Sequence, residues 1–251
     1  MIPKIIHQTW KTSNIPNKWK EYHNTWKKHF PEPEYQHILW TDEVNKDFIK
    51  ENYNWFYNTF SGYPKGIQRA DAIRYFILFH YGGIYADLDC EVRENFYQDL
   101  EQDNINLAGN PYENGKSTMN NLMCSDKNND KWKKVFQELE KRKKNLSTLD
   151  STGPVVLNSL TNHDIKILDY KQFNPLKKRN FLRYHIENTF FMPLDKEKMK
   201  TWDIAKVVHH GSESWAYDEI KCLLYNNIIF ILTILCLITY LIFKYKKITI
   251  F

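Results

Sequence analysis

Between Pro64 and Asp89 the sequence spells a helix, a stop, a strand and a pair of carboxylates with almost nothing between them. Ile67, Ala70, Ile73, Ile77, Leu78 and Tyr81 recur at helical spacing, which predicts a helix with this stripe turned to a core. Gly82-Gly83 stops it. Ile84-Tyr85-Ala86 then reads as a short buried strand that runs into Asp87-Leu88-Asp89. Alternate residues on a strand face the same side, so both carboxylates are expected to point into one cleft. There they repel each other and are costly to desolvate. A divalent cation resolves both problems, and hard oxygen ligands suit Mg2+ or Mn2+. An Asp-x-Asp triplet alone is a weak signal, because many surface loops contain one. Asp71 and Arg74 share one face of the preceding helix and are expected to flank its apolar stripe rather than fill it. They read either as a salt bridge capping the core or as a pair that grips sugar hydroxyls and phosphate.

The remaining elements point to an α/β protein. Lys4-Ile5-Ile6-His7 reads as a buried strand, Trp19 to Phe30 as an amphipathic helix ended by Pro31 and Pro33, Tyr35 to Trp40 as a second strand and Glu43 to Tyr53 as a helix. This alternation predicts a mostly parallel sheet. Further on, Asn106-Leu107-Ala108 reads as a strand and Trp132 to Lys144 as a surface helix. Pro154 suits the first turn of a helix running to Leu160, and Lys206-Val207-Val208 reads as a last strand before His209-His210.

The length of 251 residues suits one α/β domain or two small ones. The net charge of +5 comes in part from Lys244, Lys246 and Lys247. A second basic run, Lys127 to Lys144, is mixed with Asp130, Glu138 and Glu140 and reads as a solvated helix face. No nucleic-acid-binding motif accompanies the charge, so nucleic acid is not expected as a partner. Cys90, Cys124, Cys222 and Cys236 form no C-x-x-C pair, which reads as neither a zinc site nor a disulfide framework. Unpaired cysteines fit a reducing compartment. Ile228 to Phe243 holds no charged residue, is apolar on every face and ends at lysines. As a helix it spans roughly 24 Å, and with Leu223 to Asn227 and Tyr245 it approaches the ~30 Å hydrocarbon core. A C-terminal transmembrane anchor is the expectation, with 1–222 as the soluble domain and 223–251 as the anchor and short basic tail. Met1-Ile2-Pro3-Lys4 opens no signal peptide, which favours tail anchoring with a cytosolic domain. The terminal lysines favour the opposite orientation.

The run Gln68-Arg69-Ala70-Asp71-Ala72-Ile73-Arg74-Tyr75, followed by Leu78 and by Tyr81-Gly82-Gly83-Ile84-Tyr85-Ala86-Asp87-Leu88-Asp89, resembles the signature of glycosyltransferase family 32, the sugar-binding region containing a DXD motif. That group includes initiating α-1,6-mannosyltransferases and inositol phosphorylceramide mannosyltransferases. Ile2 to Trp10 is similar to the family's opening. Thr152-Gly153-Pro154 and His209-His210-Gly211-Ser212-Glu213-Ser214-Trp215 fall in the right order, although Gly211-Ser212-Glu213 departs from the aromatic and small residues usual there.

The resemblance implies a GT-A type, Rossmann-like nucleotide-sugar-binding fold. It implies a GDP- or UDP-hexose donor, Mn2+ or Mg2+, a glycan or glycolipid acceptor, and transfer of a hexose, mannose first, with retention of configuration. It implies that Asp87 and Asp89 hold metal and diphosphate, and that Asp71 and Arg74 contact the donor sugar. Trp10 falls near the nucleotide base or in the core. His209, with His210 as runner-up, falls at a late histidine that binds metal or diphosphate. Ser214 and Trp215 would close over the diphosphate, and Gly153 would bring a backbone N–H near acceptor or phosphate. A single-pass membrane protein of an endomembrane such as the Golgi, or a tail-anchored one, is the implied location. Two rivals stand beside this reading: a non-catalytic sugar- or nucleotide-binding membrane protein on the same fold, and an enzyme that only hydrolyses nucleotide sugars.

Overall fold

The computed structural model describes residues 1–160, 163–175 and 201–211. Residues 1–211 fall in one compact unit. The expected anchor at 228–243, the expected boundary after 222, and Ser214 and Trp215 lie outside the described residues. Among the described residues no helix is long and apolar enough to cross a membrane.

The strands are β1 (Ile5–Thr9), β2 (Gln36–Trp40), β3 (Gly83–Ala86), β4 (Cys90–Val92), β5 (Ile105–Gly109), β6 (Thr118–Ser125), β7 (Ile165–Leu168) and β8 (Val207–His209). The helices are α1 (Asn17–His29), α2 (Asp42–Asn52), α3 (Asn54–Gly62), α4 (Gly66–Tyr81), α5 (Trp132–Arg142), α6 (Thr148–Ser151) and α7 (Tyr170–Phe173). Six strands form one sheet in the order β2-β1-β3-β6-β5-β7, and β4 and β8 form a separate antiparallel ribbon. β1 runs parallel to both β2 and β3, and β7 parallel to β5, while β6 opposes β3 and β5. The parallel expectation holds for every described strand of the sheet except β6.

The sheet is covered on both sides, which is why its strands read as apolar runs rather than alternations. Tyr85, Leu107 and Met123 point to one layer, packed with α4 residues such as Ile73, Phe76 and Ile77. Ile84, Ala86, Ala108, Leu122 and Cys124 point to the other, packed with Trp26, Phe30 and Phe96. The glycines that end α4 have no substitute. Gly83 has φ +99°, and a Cβ there would lie 2.5 Å from the Ile5 carbonyl oxygen.

Several expectations need correction. α4 is buried nearly all round from Asp71 to Leu78, so Asp71 and Arg74 lie inside the protein and do not flank the core. β3 ends at Ala86, and Asp87-Leu88-Asp89 forms a turn closed by the Cys90 N–H on the Asp87 carbonyl at 2.9 Å. The two carboxylates therefore do not share a strand face, and each meets its own partners. The helix expected after Gly153 forms with Pro154 in its first turn, but as a 3-10 helix, Pro154–Ser159. The strands β4, β6 and β7 and the helices α3, α6 and α7 were not read from the sequence. Asn120 and Asn121 interrupt the apolar run of β6 and hide it as a core strand.

Candidate active site

The carboxyl ends of parallel strands are where open α/β sheets bind ligands. Here β1 ends at Thr9, just before Trp10, β2 at Trp40, and β3 at Ala86, just before Asp87. The Trp10 N–H extends the ladder to the Trp40 carbonyl at 2.9 Å.

Asp87 leaves β3 with its N–H on the Asn121 carbonyl of β6 at 2.9 Å. Its Oδ1 accepts from the Tyr85 hydroxyl at 2.8 Å and lies 3.3 Å from Arg74 Nη1. Because Tyr85 has one proton and gives it to Asp87, the Thr9 hydroxyl, 2.9 Å away, donates to Tyr85. The Arg74 guanidinium lies over the Tyr85 ring, 4.8 Å from its centroid. It also reaches Asp71 Oδ1 at 2.8 Å and donates to the Asn120 carbonyl at 2.7 Å. Asp71 in turn accepts from the Asn120 side-chain amide at 3.2 Å, and its Oδ2 lies 3.4 Å from the Thr152 hydroxyl. A continuous polar chain thus runs Thr152–Asp71–Arg74–Asp87–Tyr85–Thr9 across three elements and two loops. Burial pushes the Asp71 carboxyl up to about 6, against the opposing pull of Arg74 and with Asp87 adding to the rise. Asp87 is raised by burial and by Asp89, and Arg74 opposes.

Asp89 meets a different partner. Register in the β4–β8 ribbon places Cys90 opposite His209, and this brings His209 Nε2 to 3.2 Å from Asp89 Oδ1. Burial alone would lower His209, but Asp89, with Asp87 behind it, outweighs burial and leaves the imidazole raised. His210 points elsewhere. Its ring stacks on Tyr22 at 4.0 Å between centroids, and its Nε2 meets Glu91 Oε2 at 2.8 Å. Of the two histidines, His209 is the one beside Asp89. The Asp89 carboxylate, the Cys90 thiol and the His209 imidazole each offer a donor atom within 4.8 Å of the others. Cys90 and Cys124 are free and buried, and burial, with Asp89 next, pushes the Cys90 thiol well up.

Trp10 is half-buried and meets Trp19 edge-on at 4.4 Å between centroids. Both pack with Ile15 and with Leu88, the residue between the two aspartates. Trp10 therefore helps to seat the acidic turn while keeping part of its surface accessible. Gly153 behaves otherwise than its place in the sequence suggests. Its N–H already donates to the Thr148 carbonyl at 2.9 Å, and a Cβ there would lie 2.8 Å from Leu149 Cα. The residue lets the chain pass close to α6 and presents no amide to a ligand in this conformation. Asn120, Tyr85, Thr9 and the Thr152 side chain are members of the network that sequence reasoning did not find. The one local signal was the Asn120-Asn121 pair inside an apolar stretch.

Residues 16–108 match a family described as the glycosyltransferase sugar-binding region containing DXD motif. This segment belongs to that family. The match includes α4, β3 and the acidic turn, hence Asp71, Arg74, Asp87 and Asp89. Inositol phosphoceramide mannosyltransferase 2 of Schizosaccharomyces pombe is 39% identical over 64% of this chain and 46% of its own length. A mannosyl phosphorylinositol ceramide synthase of Saccharomyces cerevisiae is 39% identical over 69% of this chain and 50% of its own length. The chain thus spans about half the length of these two relatives. An uncharacterized glycosyltransferase of Acanthamoeba polyphaga mimivirus is 27% identical over 86% of this chain and 84% of its own length. Among solved structures, the apo form of the glycosyltransferase GlyE of Streptococcus pneumoniae superposes with TM-score 0.52 at 15% identity, covering 84% of this chain and 55% of that one. At that identity the likeness speaks for the fold, which is the GT-A type expected from the sequence.

Proposed function

We propose that this protein is a retaining glycosyltransferase that moves a hexose, mannose first, from a GDP- or UDP-sugar to a glycan or glycolipid acceptor with the help of Mn2+ or Mg2+. The observation that carries the reading is the polar chain from Thr152 to Tyr85 beside the Asp89–His209 pair, all at the carboxyl ends of the sheet. The mannosyltransferase names of the relatives support mannose as the sugar.

Arg74 is held by Asp71, Asp87 and the Asn120 carbonyl, so its role is to fix two carboxylates rather than to swing onto a substrate. The lone pairs left on Asp71 and Asp87 accept hydrogen bonds from donor hydroxyls, and this orients the anomeric carbon. Asp71 is held from three sides, which suits an orienting group better than a covalent nucleophile. The acceptor hydroxyl then attacks from the leaving-group face, and the leaving phosphate takes its proton. Trp10, at the end of β1, offers an aromatic face for the nucleotide base. Asp89 and His209, with Asp87 nearby, would hold the cation. A carboxylate and an imidazole converging at 3.2 Å form a donor set that fits Mn2+. Such an ion, when bound, offsets the charge of the leaving diphosphate. Ser214 and Trp215 are kept as groups that close over the diphosphate, and the apolar stretch 228–243 as the membrane anchor.

The test is a panel of nucleotide sugars with Mn2+, read by turnover and thermal stabilisation, with and without lipid and glycan acceptors. Acceptor-dependent release of nucleotide is expected. Release indifferent to every acceptor would favour a hydrolase. Stabilisation without release would favour a binding protein.

A further inference from the structure

We propose that the centre formed by Asp89 and His209 has a third, sulfur donor in Cys90, and that it therefore takes zinc-like cations into an S,N,O set where they compete with Mn2+. The inference rests on the metal reading above and adds to it a residue that the Asp-x-Asp pattern does not contain.

Three independent features place the sulfur. First, Cys90 and His209 are direct cross-strand partners in the β4–β8 ribbon. Residues paired in this way put their side chains on the same face, with Cβ atoms about 4.5–5.5 Å apart. Second, the donor atoms of Asp89, Cys90 and His209 all lie within 4.8 Å of one another. Around a tetrahedral Zn2+ with bonds near 2.0–2.3 Å, donor atoms sit about 3.6 Å apart, so side-chain adjustments of about an ångström close the set. Third, the thiol is held in place. Asn121 brackets Sγ with its carbonyl oxygen at 3.6 Å and its side-chain amide at 3.7 Å. The Trp26 indole N–H holds the Cys90 carbonyl at 2.8 Å, and the Cys90 N–H closes the acidic turn on Asp87. The sulfur therefore moves with the turn that carries both aspartates. Cys124, the other buried thiol among the described residues, faces the same layer but is not part of the cluster.

The chemistry separates two classes of ion. Mn2+ prefers oxygen and imidazole and gains little from a thiol, whereas Zn2+, Co2+ and Cd2+ bind sulfur strongly. On binding one of these, the Cys90 S–H bond breaks, a sulfur–metal bond forms and the proton passes to the buffer. Nothing is oxidised or reduced. The motif then has two occupants: a hard ion held through oxygen and nitrogen, and a borderline ion held also through sulfur and more tightly.

The test uses the full chain in detergent and Co2+ as the spectroscopic stand-in for Zn2+. A sulfur-to-cobalt charge-transfer band in the near ultraviolet is expected, bleached by equimolar Zn2+. Cys90→Ser should lose the band and bind Co2+ about 10-fold more weakly or worse, the scale on which a supporting group is felt. Mn2+ binding, read from the free-ion electron paramagnetic resonance signal, should be unchanged in that variant. Should Cys90→Ser not fold, Asp89→Asn provides the second reading, because loss of a ligand carboxylate must raise the Co2+ concentration at which the band appears. A band that persists in folded Cys90→Ser comes from another thiol and overturns the proposal, as does a band that appears in Asp89→Asn at the same Co2+ concentration as in the wild type. Mn2+ binding with no band in the wild type overturns the proposal and leaves the metal reading standing. Failure of every ion to bind overturns both.

Discussion

The Arg74 guanidinium lies 2.8 Å from the Asp71 carboxylate with both side chains almost wholly buried, at 4% and 8% exposure. A pair this deep is not a surface ornament on α4. Its members share the burial cost with Asp87, Asn120 and Thr152, and removing one leaves the others charged and unmatched. Deleting either member therefore carries a cost in stability as well as in function.

Arg74→Ala and Asp71→Ala should therefore each destabilise the fold by about 3–5 kcal/mol and also abolish donor use. Asp71→Asn, which keeps the shape and loses the charge, should unfold later than Asp71→Ala and still bind donor poorly. Urea denaturation alongside donor titration separates the two effects. An unchanged unfolding midpoint in both alanine variants would show that the pair does not hold the core.

Tyr85→Phe keeps the ring beneath Arg74 and removes the hydroxyl that joins Thr9 to Asp87. The expected cost in stability is about 1 kcal/mol. Asp87 loses one of the two groups that aim it, so donor affinity should fall roughly 5–30-fold, equivalent to 1–2 kcal/mol. Calorimetric titration with nucleotide sugar checks this, and equal affinity in the two proteins would remove Tyr85 from the site.

Asp89→Asn should abolish turnover while the far-ultraviolet circular dichroism is preserved, since the amide keeps the shape of the buried Asp89 side chain beside His209 and removes only its charge. EDTA should reproduce the loss in the wild type, and added Mn2+ should restore the wild type alone. Full activity of Asp89→Asn in EDTA would be incompatible with a metal at this position.

His7 gives the fold a pH dependence. Trp40 Nε1 donates to its Nδ1 at 3.1 Å and its Nε2 donates to the Gly82 carbonyl at 2.9 Å, so the buried ring is neutral and saturated. Burial lowers its pKa to about 4 from 6.5, with the Gly82 bond opposing. Between those values the unfolded chain binds the extra proton and the folded one does not. Stability is therefore fully present above pH 6.5 and declines as pH falls toward 4, by about 3 kcal/mol in all. His23, lowered in the same direction chiefly by burial, adds to the slope. His7→Gln should be less stable at neutral pH but show a shallower decline between pH 6.5 and 4 in denaturation midpoints. A decline as steep as that of the wild type would assign the effect elsewhere.

Much of this protein is local, and the sequence by itself determined that part. The stripe of α4, the stop at Gly82-Gly83, the strand into Asp87 and the start of β1 are periodicities and stop signals within a few residues of each other. They follow from helix and strand geometry alone. Asp71, Arg74, Asp87 and Asp89 stand out as candidates through the same local patterns, and His209 through the family resemblance. Tertiary structure decided which of them meet. Asp87 and Asp89 part company because the strand ends one residue before the motif and a turn takes over. Asp71 and Arg74 are interior because β6 and the Thr152 loop cover them, and β6 was illegible as a core strand because its asparagines serve the site. Cys90, discounted for want of a C-x-x-C neighbour, acquires His209 as a partner through a ribbon that joins chain segments more than a hundred residues apart. Pairing over such a distance is set by packing and register, which no local repeat encodes.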